Sequence, residues 1–154
     1  MTAMHTANRI FIEAPLTKVY DLASRVEHWP NVLRHYRYVD VVDPAVAGDS
    51  RSRLVKMGAT RSGIPVSWTS VQHLDRRKRY IRYRHVGGAT LGMDVLWTLE
   101  PERMGVEVTI EHDLPSARWW LQPGPIAAFV GSFFVESIAG MTLAGIKRTA
   151  EAGR

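Results

Sequence analysis

Six segments between Tyr36 and Leu114 alternate apolar and polar residues, and short connectors separate them. Alternation with a period of two is typical of strands that bury one face. The connectors contain glycine, aspartate, serine and proline, which favour tight turns. Consecutive strands with such short links pair as an antiparallel meander. The predicted strands are 36–43, 50–59, 65–75, 79–86, 90–100 and 106–114.

Helical spacing of apolar residues occurs on both sides of these strands. Asn8 to Glu13 predict a first strand, and residues 16–33 then predict two short helices, the second interrupted by Pro30. Residues 126–152 predict one long helix, which a broad and twisted sheet needs as a cover. The sequence therefore predicts an α+β fold: a strongly curved seven-stranded antiparallel sheet wrapped around a long C-terminal helix, in a single domain over 1–154.

Composition limits the class of protein. A chain of 154 residues with 45% hydrophobic and 23% charged residues is typical of one globular domain. The absence of cysteine excludes disulfides, thiolate metal sites and a cysteine nucleophile. The first residues, MTAMHTANRI, lack the apolar core of a secretory signal, so we expect a cytoplasmic protein.

Residues 126–146 carry a single charge, Glu136, over a length that could cross a bilayer. The central glutamate, the glycines and the small polar residues favour a buried helix over a membrane span. In the connector before this helix, Trp119 and Trp120 could gate a cavity or touch a membrane surface.

The net charge of +5 comes partly from the basic turn, Arg76 to Arg79, between two predicted strands. No aromatic interleaving or recognition helix accompanies it, so we expect no nucleic-acid partner. An acidic protein or an anionic membrane surface fits the charge better.

A histidine interrupts the apolar row of the last strand. Val106, Val108, Ile110 and His112 share one face. Two interpretations are open: a core histidine with one hydrogen-bond partner, or a histidine that faces a ligand. Strand parity places other polar and aromatic residues on the same side of the sheet, as in a ligand site. The candidate ligand-binding residues are Trp68, Ser70, Tyr83, His85, Met93, Trp97, Ile110, Phe133 and Gly140, with His112 and Gln72 as candidate catalytic residues.

Some of these positions keep alternatives open. His85 is either inward or at the rim of the site. The small residues of the late helix, Gly140 among them, either leave space for a ligand or allow close contact with the sheet. Only His112 and His85 converge, and no inward carboxylate accompanies them, so we expect no metal.

The order of elements and the segment IFIEAPLTKVYDLASRVEHWPNVL (10–33) resemble the START and Bet v 1-like (SRPBCC) helix-grip superfamily. Within it, Ala14-Pro15, Val19-Tyr20 and Trp29-Pro30 resemble the branch of polyketide cyclases, dehydrases and coenzyme Q-binding proteins. WTSVQHLD (68–75) and HDL (112–114) look most similar to the aromatase/cyclases.

This resemblance implies a hydrophobic, carbonyl-bearing ligand without a cofactor. His112 matches a family histidine that faces the polyketide, whereas the family's pocket arginine falls at Gln72 and its helix aspartate at about Gly140. The implied roles are a proton shuttle for His112 and a carbonyl donor for Gln72, with an acidic acyl carrier protein at the basic turn. The alternative is a non-catalytic carrier of quinone or lipid, in which both residues only orient the ligand.

Overall fold

A curved seven-stranded antiparallel sheet and a long C-terminal helix form the helix-grip fold in the computed structural model, which describes residues 2–88, 90–115 and 135–152. The strands are β1 Thr2–Ile12, β2 Tyr36–Asp43, β3 Ser52–Arg61, β4 Ile64–Asp75, β5 Tyr80–Gly88, β6 Asp94–Glu102 and β7 Gly105–Pro115. The α-helices are α1 Leu16–Ser24, α2 Trp29–Val32 and α3 Glu136–Glu151, and 3₁₀ helices cover Val26–His28 and Val46–Gly48.

The strand order is β1-β7-β6-β5-β4-β3-β2. The six strands of the predicted meander therefore pair with their neighbours in sequence, which confirms the prediction. β1 pairs with β7 and forms the edge of the sheet opposite to β2. This pairing runs from Thr2 opposite Pro115 to Ile12 opposite Val106, so β1 begins well before the predicted Asn8.

Two predicted boundaries are corrected by local backbone chemistry. Residues 90–92 form a turn rather than the start of β6, because Gly88 and Gly92 have φ angles of +92° and +91° and the Met93 amide donates to the Thr90 carbonyl. Leu91 is consequently exposed. Pro30 lies in the first turn of α2 and does not interrupt it, since the first turn of a helix tolerates the missing N–H.

The apolar face of α3 covers the sheet and the short helices. Ile138, Leu143 and Ile146 are buried there. Gly145 allows close contact, because a Cβ at this position would collide with the Leu33 side chain. Gly140 is different: the nearest atom to a Cβ there would be the Asn8 amide nitrogen at 3.9 Å.

No helix among the described residues is long and apolar enough to cross a membrane. The described part of the apolar segment that raised this question, 135–146, belongs almost entirely to α3. Residues 126–134 of that segment lie outside the described residues.

Candidate functional site

A cavity of about 80 Å³ lies between the inward face of the sheet, α2 and α3. The sheet contributes residues from β2 to β7, and α3 closes the other side with small and β-branched side chains. The lining residues are Trp29, Tyr36, Met57, Val66, Trp68, Tyr83, His85, Thr90, Met93, Val95, Trp97, Ile110, His112, Val135, Ile138, Ala139 and Thr142.

Most of the site residues predicted from strand parity lie in this lining. They are Trp68, Tyr83, His85, Met93, Trp97, Ile110 and His112. Ser70 and Gly140 are not in the lining: Ser70 is completely buried and its hydroxyl has no partner in the described part of the chain, and Gly140 lies next to Asn8. Phe133, Trp119 and Trp120 lie outside the described residues.

His112 combines burial with an unused ring nitrogen. The residue is 7% exposed, and its buried Nδ1 has no hydrogen-bond partner among the described residues. Burial lowers the pKa of His112 to about 4, against a smaller opposing effect of the Asp113 carboxylate. The imidazole is therefore neutral at pH 7, with one nitrogen that can accept a proton or a hydrogen bond.

His85 lies in the lining and not at an exposed rim. Its ring stacks on Trp68, with centroids 5.8 Å apart and planes 9° apart, and its Nδ1 is 2.6 Å from Thr90 Oγ1. Burial and, to a smaller extent, the nearby His112 lower the pKa of His85 to about 3. Like His112, it is a neutral imidazole at pH 7.

The predicted contact between Gln72 and a ligand carbonyl needs correction. Gln72 is completely buried and does not belong to the cavity lining. Its Nε2 already donates to the Ser24 carbonyl at 2.9 Å and to Tyr83 OH at 3.0 Å. Its Oε1 accepts from Arg53 Nε at 2.9 Å and Nη2 at 2.7 Å. Both amide hydrogens are in use, so Gln72 cannot be the direct carbonyl donor.

Arg53 is a site residue that the sequence analysis did not select, although the alternation along its strand predicts that it points inward. Arg53 shares one face of β3 with Val55 and Met57, and these two residues are buried. The same parity argument that selected Gln72 therefore places Arg53 on the inward side. An arginine in an apolar row signals a partner, here Gln72 and Glu27.

The described residues contain no group of histidine and carboxylate side chains that could hold a metal ion. His85 and His112 are the two histidines of the lining, and no aspartate or glutamate joins them there. The polar chemistry that the described residues bring to the cavity therefore consists of neutral hydroxyl and imidazole groups.

Comparisons with known proteins agree with this architecture. The family model described as polyketide cyclase/dehydrase and lipid transport matches residues 12–139. A proposed polyketide cyclase of Streptomyces halstedii is 32% identical over 105 residues, which are 68% of this chain and 94% of that protein.

Two solved structures share the fold. A protein of Thermus thermophilus has a TM-score of 0.80 at 18% identity, covering 97% of this chain and 99% of that one. The Zhui aromatase/cyclase of a Streptomyces species has a TM-score of 0.71 at 17% identity, covering 97% of this chain and 98% of that one. At these identities the likeness concerns the fold.

Proposed function

Because the chain belongs to the polyketide cyclase/dehydrase and lipid transport family, we propose that its cavity binds a hydrophobic molecule with a carbonyl group and that His112 moves a proton on it. The observation that carries this proposal is a neutral imidazole in the cavity lining that has no hydrogen-bond partner among the described residues. A buried polar atom without a partner is costly, and a ligand group can supply the missing hydrogen bond.

The proposed chemistry is proton transfer next to a carbonyl. The free imidazole nitrogen takes a proton from the carbon beside the carbonyl, and the electron pair of that C–H bond forms an enolate. A pKa of about 4 makes His112 a weak base in the empty cavity. The enolate raises that pKa, because its negative charge stabilises the imidazolium beside it. In a dehydration, the imidazolium returns the proton to a leaving hydroxyl group, which departs as water while a C=C bond forms.

The lining favours a flat and compact ligand. Trp29, Trp68 and Trp97 present aromatic surface, which binds rings by offset or edge contacts. A volume of about 80 Å³ is small beside the 300–1,000 Å³ typical of drug-sized sites. The cavity is partly open rather than enclosed, so a ketone with two fused rings, although larger than this volume, can enter with one ring and keep the other at the mouth; it is the first ligand class to test.

The second candidate function is a non-catalytic carrier of a quinone or lipid. It is favoured by one observation: the described lining residues include no charged side chain. A neutral wall can hold a carbonyl without activating it, since a charged donor polarises a carbonyl more strongly. In this function His112 only orients the ligand.

Alpha-tetralone, a bicyclic aromatic ketone, tests both candidates. We expect it to quench the fluorescence of the lining tryptophans on titration. We also expect the protein to accelerate deuterium exchange at the methylene next to its carbonyl, followed by NMR in deuterium oxide. Binding with accelerated exchange supports the catalytic proposal, and binding without it supports the carrier. Absence of binding contradicts both.

We also propose that the basic turn docks an acidic acyl carrier protein. Arg77 and Lys78 are exposed there, whereas Arg76 pairs with Asp21 at 2.7 Å. The expected result is complex formation that weakens between 50 and 200 mM salt, roughly the range over which exposed charges become screened. Reversing the charge of Arg77 and Lys78 should remove most of the salt dependence in a binding titration. An affinity that is insensitive to salt would contradict the proposal.

A further inference from the structure

Five inward side chains form a row across the sheet, perpendicular to its strands. In the strand register, Arg53 on β3 is opposite Gln72 on β4, which is opposite Tyr83 on β5. Tyr83 is opposite Val95 on β6, which is opposite His112 on β7. Residues directly opposite each other on one face lie close enough to interact. The row therefore connects an arginine at one end to the proposed base at the other.

The hydrogen bonds at the arginine end have only one possible direction. A guanidinium is exclusively a donor, so the Gln72 amide must turn its oxygen towards Arg53. The amide nitrogen then points the other way and donates to Tyr83 OH. The Tyr83 oxygen is thus an acceptor in this contact, and its own proton is left over.

That remaining proton belongs to a residue of the cavity lining. Tyr83 lines the cavity and is 4% exposed. Among the described residues, Gln72 is the only hydrogen-bond partner of its hydroxyl, and it acts as a donor. Burial raises the pKa of Tyr83, so the hydroxyl keeps its proton at neutral pH. Tyr83 is therefore a donor without an acceptor at the cavity wall.

A charged group anchors this arrangement. Arg53 is 15% exposed in its side chain and donates through Nη1 to Glu27 at 3.1 Å and through Nη2 to the Ser24 carbonyl at 3.1 Å. Hydrogen bonds from a charged donor are stronger than neutral ones, and successive hydrogen bonds polarise one another. The guanidinium therefore makes the Gln72 amide a better donor, and that amide makes the Tyr83 hydroxyl a better donor in turn.

We propose that Tyr83 donates the hydrogen bond that binds the ligand's carbonyl oxygen, and that Gln72 and Arg53 are positioning residues that aim its proton into the cavity. This inference rests on the proposed function, because it names the donor for the same carbonyl. It also gives the arginine an indirect route to the ligand through two hydrogen bonds.

The row also fixes how far apart the backbones of the proposed donor, Tyr83, and the proposed base, His112, lie. Tyr83 and His112 are separated by one strand, so their backbones lie about 10 Å apart. The apolar Val95 lies between them. The proposal requires a ligand that covers Val95 and places its oxygen at the hydroxyl of Tyr83 and the adjacent carbon at the imidazole of His112.

The first test replaces Tyr83 by phenylalanine and measures the carbonyl stretch of bound alpha-tetralone by isotope-edited infrared spectroscopy. Loss of the donor should move the stretch to higher frequency and raise Kd about 3- to 10-fold, the effect of one neutral hydrogen bond. Tyr20→Phe is the matched control. It deletes the hydroxyl of a tyrosine residue that is also buried, and this hydroxyl donates to the Tyr80 carbonyl outside the cavity lining.

The second test reverses the hydrogen bond with Gln72→Glu. A carboxylate has the shape of the amide but cannot donate, so it would accept the Tyr83 proton and withdraw it from the cavity. The carbonyl stretch should then move as in Tyr83→Phe, although the hydroxyl is still present. If Gln72 only fills space, the stretch in Gln72→Glu keeps its wild-type frequency, and the positioning role is overturned.

The outcomes separate this inference from the proposed function. If wild-type protein does not bind alpha-tetralone, both are overturned. If it binds and exchanges the ketone, and Tyr83→Phe leaves the stretch and Kd unchanged, the proposed function survives and Tyr83 is not the donor. Each variant decides its own residue, so misfolding of one leaves the other test in force.

Discussion

Replacing His112 by alanine should lower the protein-dependent deuterium exchange of alpha-tetralone about 100- to 10,000-fold, the usual contribution of a general base. The reason is geometric and electrostatic. His112 brings a neutral imidazole with an unpartnered nitrogen to the cavity, and the described lining contains no carboxylate that could replace it. Exchange is measured by NMR at saturating ketone, so that weaker binding does not appear as a slower reaction.

Two further variants make the His112 result specific. His112→Gln keeps a side chain of hydrogen-bonding character in the cavity but has no basic nitrogen, so it should bind the ketone and exchange it as slowly as the alanine variant. His28→Ala removes an exposed histidine and should keep the wild-type rate. Exchange that survives in His112→Gln would assign the base to another group and leave His112 with an orienting role.

The fold was predictable because its main signals are local. Alternation such as Val106, Val108 and Ile110 records which face of a strand is buried, and turn residues mark where each strand ends. The predicted start of β6 at Thr90 was wrong, because Thr90 to Met93 continue the apolar pattern of the strand while Gly88 and Gly92 turn the backbone. The early start of β1 was missed because Thr6, a buried polar residue, breaks the expected alternation.

The candidate site was partly predictable, for a different reason. Parity identifies which residues point inward, and Tyr83 and His112, which it selected, are buried and lie in the cavity lining. Parity does not say what a buried polar group is bonded to. Gln72 is inward, but its amide is occupied by Arg53, Ser24 and Tyr83. Whether an inward polar group is free or already hydrogen-bonded depends on contacts between residues that are far apart in the sequence. The residue pattern of a single strand does not contain that information.

The same two buried histidines should make the protein sensitive to acid. In the folded protein the pKa of His85 is lowered to about 3 and that of His112 to about 4, whereas an unfolded histidine titrates near 6.5. Below pH 6.5 the unfolded chain therefore binds more protons than the native protein. Stability is fully present above pH 6.5, is lost as the pH falls towards 4, and changes little further below the folded values.

The size of this effect approaches the stability of a typical domain. Each histidine that is neutral in the native state and charged in the unfolded state contributes a slope of up to about 1.4 kcal/mol per pH unit. Two of them remove roughly 5 kcal/mol between pH 6.5 and 4, and a domain of this size commonly has about 5–15 kcal/mol. His35, half-buried and hydrogen-bonded to Thr142, has its pKa lowered to about 4 and acts in the same direction.

Urea unfolding at pH 7, 6 and 5 measures the slope directly. His85→Gln removes one of the three titrating groups and can keep a hydrogen bond to Thr90, so the slope should fall by about a third. His28→Gln is the control, because it removes an exposed histidine with the same chemistry. A wild-type slope in His85→Gln would mean that His85 is not neutral in the native state. His112 would then lie beside a positive charge, and the proposed proton transfer would have to start from a cavity that already holds a proton.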